Sequence, residues 1–225
     1  MEKVKDISNP WDGLLKEGVY DLQRPEANLL RILERSTRDN ANALDLGCGM
    51  GRHLYPLKEK GFLPIGLDIS SSAIQYIRTM NPDMPVIVGD MKVLPFENES
   101  LDLILAWRSV YLQTFREMLQ SVDEIKRTLK PGGKLIAAIR STHNTLFFIG
   151  KEKGVEIEKN TFVIDDEKHL KGVIFHFSHE QEIRDAFSWL SISYMKEEIL
   201  EDTKYTKKDG PSTNYYWIVV GEKSR

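Results

Sequence analysis

Asn42-Ala43-Leu44-Asp45-Leu46-Gly47-Cys48-Gly49-Met50-Gly51-Arg52-His53 is a short apolar run that stops at three alternating glycines before an amphipathic segment begins. A buried strand that turns sharply into a helix has this pattern. Glycine suits such a turn because it tolerates positive φ and lets a ligand come close to the backbone. A purely structural turn is the alternative. Outward from the loop, short apolar runs alternate with longer amphipathic ones, as parallel strands with crossover helices do. Strands are expected near 42–46, 63–67, 85–88, 101–106 and 134–139, and helices near 52–60, 71–80 and 115–129. Lys130-Pro131-Gly132-Gly133 is expected to break the last helix before the fifth strand.

The flanks complete the outline. Residues 1–40 read as a helical lead-in or lid, with Pro25 in a first turn and Leu29, Leu30, Ile32 and Leu33 as an apolar stripe. Segment 141–177 reads as an insertion, also a lid element, because eleven of the twenty-one residues in 151–171 are charged, too polar for a core layer. A small hairpin is expected there, between runs at Thr161–Ile164 and Val173–Phe177. Ser178 and Gln181 have capping-box spacing for a helix through about Phe187, and Trp189–Ile199 and Asn214–Val220 read as final strands. The prediction is an α/β fold in one domain over 1–225: a Rossmann-like, doubly wound, seven-stranded sheet, mostly parallel with an antiparallel C-terminal strand, helices on both faces. Its cofactor-binding core is 41–140, and 178–225 supplies the last helix and hairpin.

Charge narrows the partners. With 31 basic and 34 acidic side chains the net charge is -3, which makes no electrostatic case for a nucleic-acid or anionic-membrane partner. One cysteine, Cys48, cannot form an internal disulfide, and a reducing cytoplasm fits. The start Met1-Glu2-Lys3-Val4 carries no export-type apolar region, and no stretch approaches the ~20 apolar residues of a membrane span. His169, His176 and His179 are scattered over a charged loop, a strand and a helix start, so no metal site is expected.

The glycine spacing separates two cofactor classes. A dinucleotide fingerprint, Gly-x-Gly-x-x-Gly, would put its third glycine at 52, where Arg52 stands; here the pattern is Gly-x-Gly-x-Gly. S-adenosylmethionine has no pyrophosphate and offers an ammonium and a carboxylate instead. The backbone around Gly47, Cys48 and Gly49 is a candidate for the ammonium, and Asp45 for orienting the loop or meeting that cation through water. Asp68, in Gly66-Leu67-Asp68-Ile69-Ser70, ends the second strand where a carboxylate can accept both ribose hydroxyls; a helix-capping aspartate is the alternative. Asp90, in Gly89-Asp90-Met91, is placed to accept the adenine amino group, with Ile69 and Met91 on the ring faces. Suitable groups at three strand ends argue together, because ligands of open α/β sheets bind outside the carboxyl ends of the strands.

These segments, with Leu94-Pro95-Phe96, Ser100-Leu101-Asp102-Leu103-Ile104 and Leu129-Lys130-Pro131-Gly132-Gly133-Lys134-Leu135, resemble the class I S-adenosylmethionine-dependent methyltransferases, particularly the small-molecule methyltransferase type 11 group. The likeness covers about 43 to 139. It implies methionine binding at Gly47 and Gly49, ribose at Asp68, adenine at Asp90 and Met91, and a cofactor contact at Trp107. It also implies S-adenosylhomocysteine as product. One departure is that members often carry a histidine pair where this chain has Leu112-Gln113.

Methyl transfer from a sulfonium is an in-line displacement on an activated donor, so aligning the acceptor and excluding water is the main task. If an O, N or S acceptor needs a base, His143 after the fifth strand is the candidate; a loop histidine without a chemical role is the alternative. Tyr20, Arg24, Arg108 and Tyr111 are candidates for the acceptor pocket, against plain packing or solvation. Ala106-Trp107-Arg108-Ser109 lacks the Asn/Asp-Pro-Pro-aromatic motif of base amino-methyltransferases, so a small-molecule acceptor is expected, in a monomer or homodimer. A non-catalytic S-adenosylmethionine-binding scaffold or sensor is the rival. A nicotinamide-dependent oxidoreductase is disfavoured by Arg52 and the terminal hairpin.

Overall fold

The structure is a computed structural model that describes residues 11, 24–36, 39–164, 172–200 and 213–224. Its elements are α1 (Ala27–Leu33), β1 (Ala41–Leu46), α2 (Leu54–Glu59), β2 (Phe62–Asp68), α3 (Ser71–Met80), β3 (Val86–Val88), β4 (Leu101–Trp107), α4 (Phe115–Thr128), β5 (Leu129–Arg140), α5 (Thr145–Lys153), β6 (Val155–Glu158), β7 (Thr161–Ile164), β8 (Val173–His176), α6 (Glu180–Ala186), β9 (Leu190–Ile199) and β10 (Tyr215–Lys223).

Seven strands form the main sheet in the order β3-β2-β1-β4-β5-β10-β9, with β10 antiparallel to both its neighbours and the others parallel. The central strands are covered on both faces, so they read as unbroken apolar runs: Leu103, Ile104, Leu105 and Ala106 on β4, and Leu135 through Ile139 on β5, are all buried. Chain order reverses direction between β1 and β4. Right-handed crossovers therefore put α2 and α3 on one face and α4 on the other, and open a crevice above the carboxyl ends of β1 and β4.

Local chemistry sets the boundaries. Thr114 caps α4: its hydroxyl accepts the Glu117 N–H at 3.2 Å while the Glu117 carboxylate accepts the Thr114 N–H at 3.1 Å. The fifth strand begins earlier than its apolar run, at Leu129, because Leu129 pairs with Leu101 before Lys130–Gly133 bulge out and pairing resumes at Leu103 with Lys134. The Pro-Gly-Gly run thus marks a bulge inside β5. The last helix is capped one residue later than the Ser178–Gln181 spacing predicts: the His179 N–H donates to Glu182 at 3.1 Å, whereas the Ser178 N–H is taken by Arg140 O. Pro25 stands two residues before the first helical residue of α1.

Between Ser141 and Ser178, which meet in an isolated bridge, the chain leaves the main sheet and builds α5 and a three-stranded antiparallel sheet, β6-β7-β8. A single hairpin was expected from its charge. The physical reason for more is alternation: Phe162, Ile164, Val173, Phe175 and Phe177 are buried, Phe162 and Phe177 against Phe147 of α5, while charged side chains of 151–159 face outward. Among the described residues no helix is long and apolar enough to cross a membrane, and no group of three or more His, Cys, Asp or Glu is placed to hold a metal.

Candidate functional site

The glycine loop is fixed from two sides. Gly47, Gly49 and Gly51 have φ of 75°, 53° and 85°, the left-handed region that disfavours a side chain. The N–H groups of Gly47 and Cys48 both donate to Leu67 O, at 2.8 and 3.1 Å, tying the loop to β2. A Cβ on Gly47 would stand 2.4 Å from the Ser109 Cβ, so this glycine is required by packing as well as by φ. Ser109 is held there by its hydroxyl, which donates to Leu46 O at 2.5 Å. Asp68 ties the second strand to the loop: Oδ2 accepts the Gly49 N–H and Oδ1 the Ser70 N–H, both at 2.8 Å. Ser70 in turn caps α3 by accepting the Ala73 N–H.

A cavity of about 310 Å³ opens over these strand ends, at the position where the strand order reverses. Its floor is Gly47 and Gly49; Asp68 and Ile69 stand at the β2 end, Asp90 and Met91 beyond β3, and Arg108 and Ser109 beyond β4. Leu112, Gln113 and Glu117 form one wall, with Lys92 bonded to Glu117 at 2.7 Å. Trp11 and Gly172–Ile174 of the β6-β7-β8 layer close the remainder.

Beneath the loop lies a buried charge cluster. Glu26 accepts from Arg52 and from Arg108, each at 2.9 Å, with all three side chains mostly shielded from solvent. Burial alone would raise the Glu26 carboxyl, but the two guanidiniums hold it below the usual carboxylate range. Arg108 carries this link with φ of 60°, a left-handed conformation unusual for a side-chain-bearing residue. Asp45 is 1% exposed and its Oδ2 has no hydrogen-bond partner; burial pushes its carboxyl up to about 7, with Arg52 opposing and Asp68 reinforcing. His53 Nδ1 is 3.9 Å from that oxygen, and burial, then Arg52 and Arg108, hold its imidazole well below its ordinary value.

Of the residues singled out from sequence, Gly47, Gly49, Asp68, Ile69, Asp90, Met91 and Arg108 line one cavity. Others lie elsewhere. Asp45 is beneath the floor. The Cys48 side chain packs with Leu54, Ile74, Ile77 and Met84, and burial pushes its thiol up. Trp107 is buried as the last residue of β4, and Tyr111 is buried under Arg140, whose guanidinium is 5.1 Å from the ring centre. Arg24 is exposed and outside the lining, and Tyr20 lies outside the described residues. His143 also stands outside the lining: it is turned outward and paired with Glu197 at 2.9 Å.

Sequence reasoning passed over several lining residues. Ser109, and Leu112-Gln113, which the sequence marked only as standing in place of a histidine pair, were given no site role; the Thr114-x-x-Glu117 cap, visible in the sequence, would have placed Gln113 just before a helix. Trp11 and Val173–Ile174 reach the cavity only through tertiary packing.

Residues 44–137 match the family described as "Methyltransferase domain". The malonyl-[acyl-carrier protein] O-methyltransferase of Methylococcus capsulatus is 29% identical over 175 residues, 75% of this chain and 59% of that protein. The demethylmenaquinone methyltransferase of Renibacterium salmoninarum is 33% identical over 95 residues, 42% of this chain and 39% of that protein. The chain spans 32% and 59% of the length of the first two curated relatives it matches. In fold it is similar to an S-adenosylmethionine-dependent methyltransferase of Methanosarcina mazei, with a TM-score of 0.74 at 21% identity, covering 86% of this chain and 97% of the other.

Proposed function

We propose, for a chain whose residues 44–137 belong to the methyltransferase-domain family, that it binds S-adenosylmethionine and transfers its methyl group to an O, N or S atom of a small molecule. The observation that carries this is the cavity at the strand-order reversal, floored by Gly47 and Gly49 and flanked by Asp68 and Asp90. The residues fit that cofactor. Gly47 and Gly49 present bare backbone to the cavity, and the Asp45 carboxyl beneath them, which burial pushes up to about 7 and whose Oδ2 has no hydrogen-bond partner among the described residues, would be favoured in its charged form by an ammonium bound at that floor.

Gly47 and Gly49 would hold the methionine end, and Arg108, which lines the cavity beyond β4, is a candidate cation for its carboxylate. Asp68 keeps the loop in shape through Gly49 and, at the β2 end of the cavity, is the carboxylate that would meet the ribose hydroxyls. Ile69, Asp90 and Met91 would take the adenine. When bound, S-adenosylmethionine supplies an activated methyl on a sulfonium. The protein's work is then to align the acceptor in line and keep water out, for which Trp11, Leu112, Val173 and Ile174 offer apolar walls. His143 has no part in this arrangement, since it faces Glu197 outside the lining. The buried lone cysteine and the net charge of -3 favour a cytoplasmic protein acting on a small molecule rather than on nucleic acid or a membrane surface.

Titration calorimetry with S-adenosylmethionine and S-adenosylhomocysteine tests the proposal, with a Kd in the micromolar range expected. No heat with either compound overturns it. Mass spectrometry of ligand co-purified with the protein, then an acceptor screen, identifies the methyl recipient; binding without turnover over a broad panel would mark a scaffold or sensor instead.

A further inference from the structure

Gln113 is 8% exposed and sits at the turn before α4, with its amide pinned from the protein side. Its Nε2 is 2.9 Å from Val110 O, 2.9 Å from Ser121 Oγ and 3.4 Å from Met91 Sδ. A carbonyl can only accept, so the Val110 contact fixes which end of the amide is nitrogen. The Ser121 hydroxyl is committed as donor to Glu117 O at 3.2 Å, which leaves its lone pair for Nε2. Both amide protons are therefore directed into the protein. That leaves the carbonyl oxygen of Gln113, a residue of the cavity lining, as the end of the amide open to a ligand, and it forms no hydrogen bond among the described residues. A nearly buried acceptor held this rigidly lacks only a ligand N–H or O–H.

We propose that Gln113 reads the adenine edge of the cofactor, its side-chain carbonyl accepting a hydrogen bond from the adenine amino group. This rests on the S-adenosylmethionine assignment above and deepens it. Two observations favour adenine over the methyl acceptor. Gln113 touches Met91, on the wall assigned to adenine. Asp90, the other candidate for the amino group, is drawn into its own loop: Oδ1 accepts the Lys92 N–H at 2.9 Å and Oδ2 is 3.5 Å from Lys92 Nζ. A neutral amide oxygen would also turn away a purine that carries an oxygen in place of the amino group, since two acceptors would face each other.

The test compares Kd for S-adenosylhomocysteine and for its purine analogue lacking the 6-amino group, on the wild type and Gln113→Met. The wild type is expected to bind the analogue about five- to twentyfold more weakly, the range of one hydrogen bond in a shielded site. Gln113→Met should close that gap by weakening the parent compound. A wild type that binds both equally overturns the inference, whether or not the variant folds. So does a gap that survives in Gln113→Met, or a Gln113→Met that keeps both affinities and changes only the KM of an acceptor. If neither compound binds the wild type, the cofactor assignment falls as well; binding without discrimination removes only the role of Gln113.

Discussion

The carboxylate of Asp68 accepts the backbone N–H of Gly49 at 2.8 Å, so the acid that ends the second strand shapes the loop that ends the first. Two features that look independent in the sequence are one piece of structure. Replacing Asp68 therefore removes a candidate ribose contact and loosens the loop at once. Asp68→Ala should weaken S-adenosylhomocysteine by at least about thirtyfold, since a charge-assisted hydrogen bond to the loop and ligand contacts are lost together. Asp68→Asn, with one oxygen remaining, should fall between. Calorimetric Kd values within threefold of wild type for Asp68→Ala would contradict this coupling.

Gly47→Ala should destabilise the fold by about 2 to 4 kcal/mol, combining a positive φ with a Cβ set against Ser109. Ser109→Gly removes the opposing Cβ but also the hydrogen bond to Leu46 O, so the clash shows as coupling: Gly47→Ala should cost less in the Ser109→Gly background than in the wild type. Urea unfolding of both single variants and the double variant completes the cycle; equal costs in the two backgrounds would mean that the clash is not the cause.

Two buried groups under the loop should pull stability in opposite directions with pH. Asp45 has a folded-state value of about 7 against an ordinary 3.8, so the folded protein holds a proton that the unfolded chain releases. Its contribution is full below about pH 4 and is lost as pH rises through 7. His53 is held below its ordinary 6.5, so its contribution is lost as pH falls through that value. Asp45→Asn should thus be more stable than wild type at pH 8, by up to about 4 kcal/mol, and lose stability more steeply below pH 6.5. His53→Gln should instead gain stability on acidification from pH 7 to 5. Denaturation midpoints across that range are the readout, and parallel curves for all three proteins would refute the assignment.

Glu26→Gln would strand two buried guanidiniums that share one carboxylate. A loss of about 3 kcal/mol is expected, because breaking a buried pair leaves uncompensated charge. Glu26→Gln with Arg52→Met should recover part of it. Thermal or urea unfolding would show the deficit, and an unchanged midpoint for Glu26→Gln would show the cluster to be energetically idle.

His143→Ala, by contrast, should leave the Kd for S-adenosylhomocysteine within twofold and stability within about 0.5 kcal/mol, as for a solvent-facing side-chain contact. Once an acceptor is identified, kcat/KM should follow suit; a hundredfold fall would restore this histidine as a base.

Much of the main sheet was legible along the chain because local patterns carry it. Double-sided burial makes β1, β4 and β5 continuous apolar runs, and the glycines announce where a backbone must turn tightly. Legibility failed where partners are distant. The Pro-Gly-Gly run looked like a terminator, but pairing of Leu129 with Leu101 begins β5 before it. The hairpin expected between Thr161–Ile164 and Val173–Phe177 is β7–β8, but the charges of 151–159 concealed the third strand, β6, and the helix α5 whose Phe147 packs on Phe162 and Phe177.

The candidate site divides the same way. Gly47, Gly49, Asp68, Asp90 and Met91 follow strands at short range, so the sequence alone placed them at the carboxyl ends that any ligand of such a sheet must meet. Cys48 and Trp107 share those segments, yet face the core; a strand end fixes where a residue is and leaves the aim of its side chain to packing. Only the tertiary structure set Glu26 against Arg52 and Arg108, turned His143 toward Glu197, and brought Trp11, Gln113 and Ile174 to one cavity. These are contacts between separate segments, and no local periodicity encodes their distance or direction.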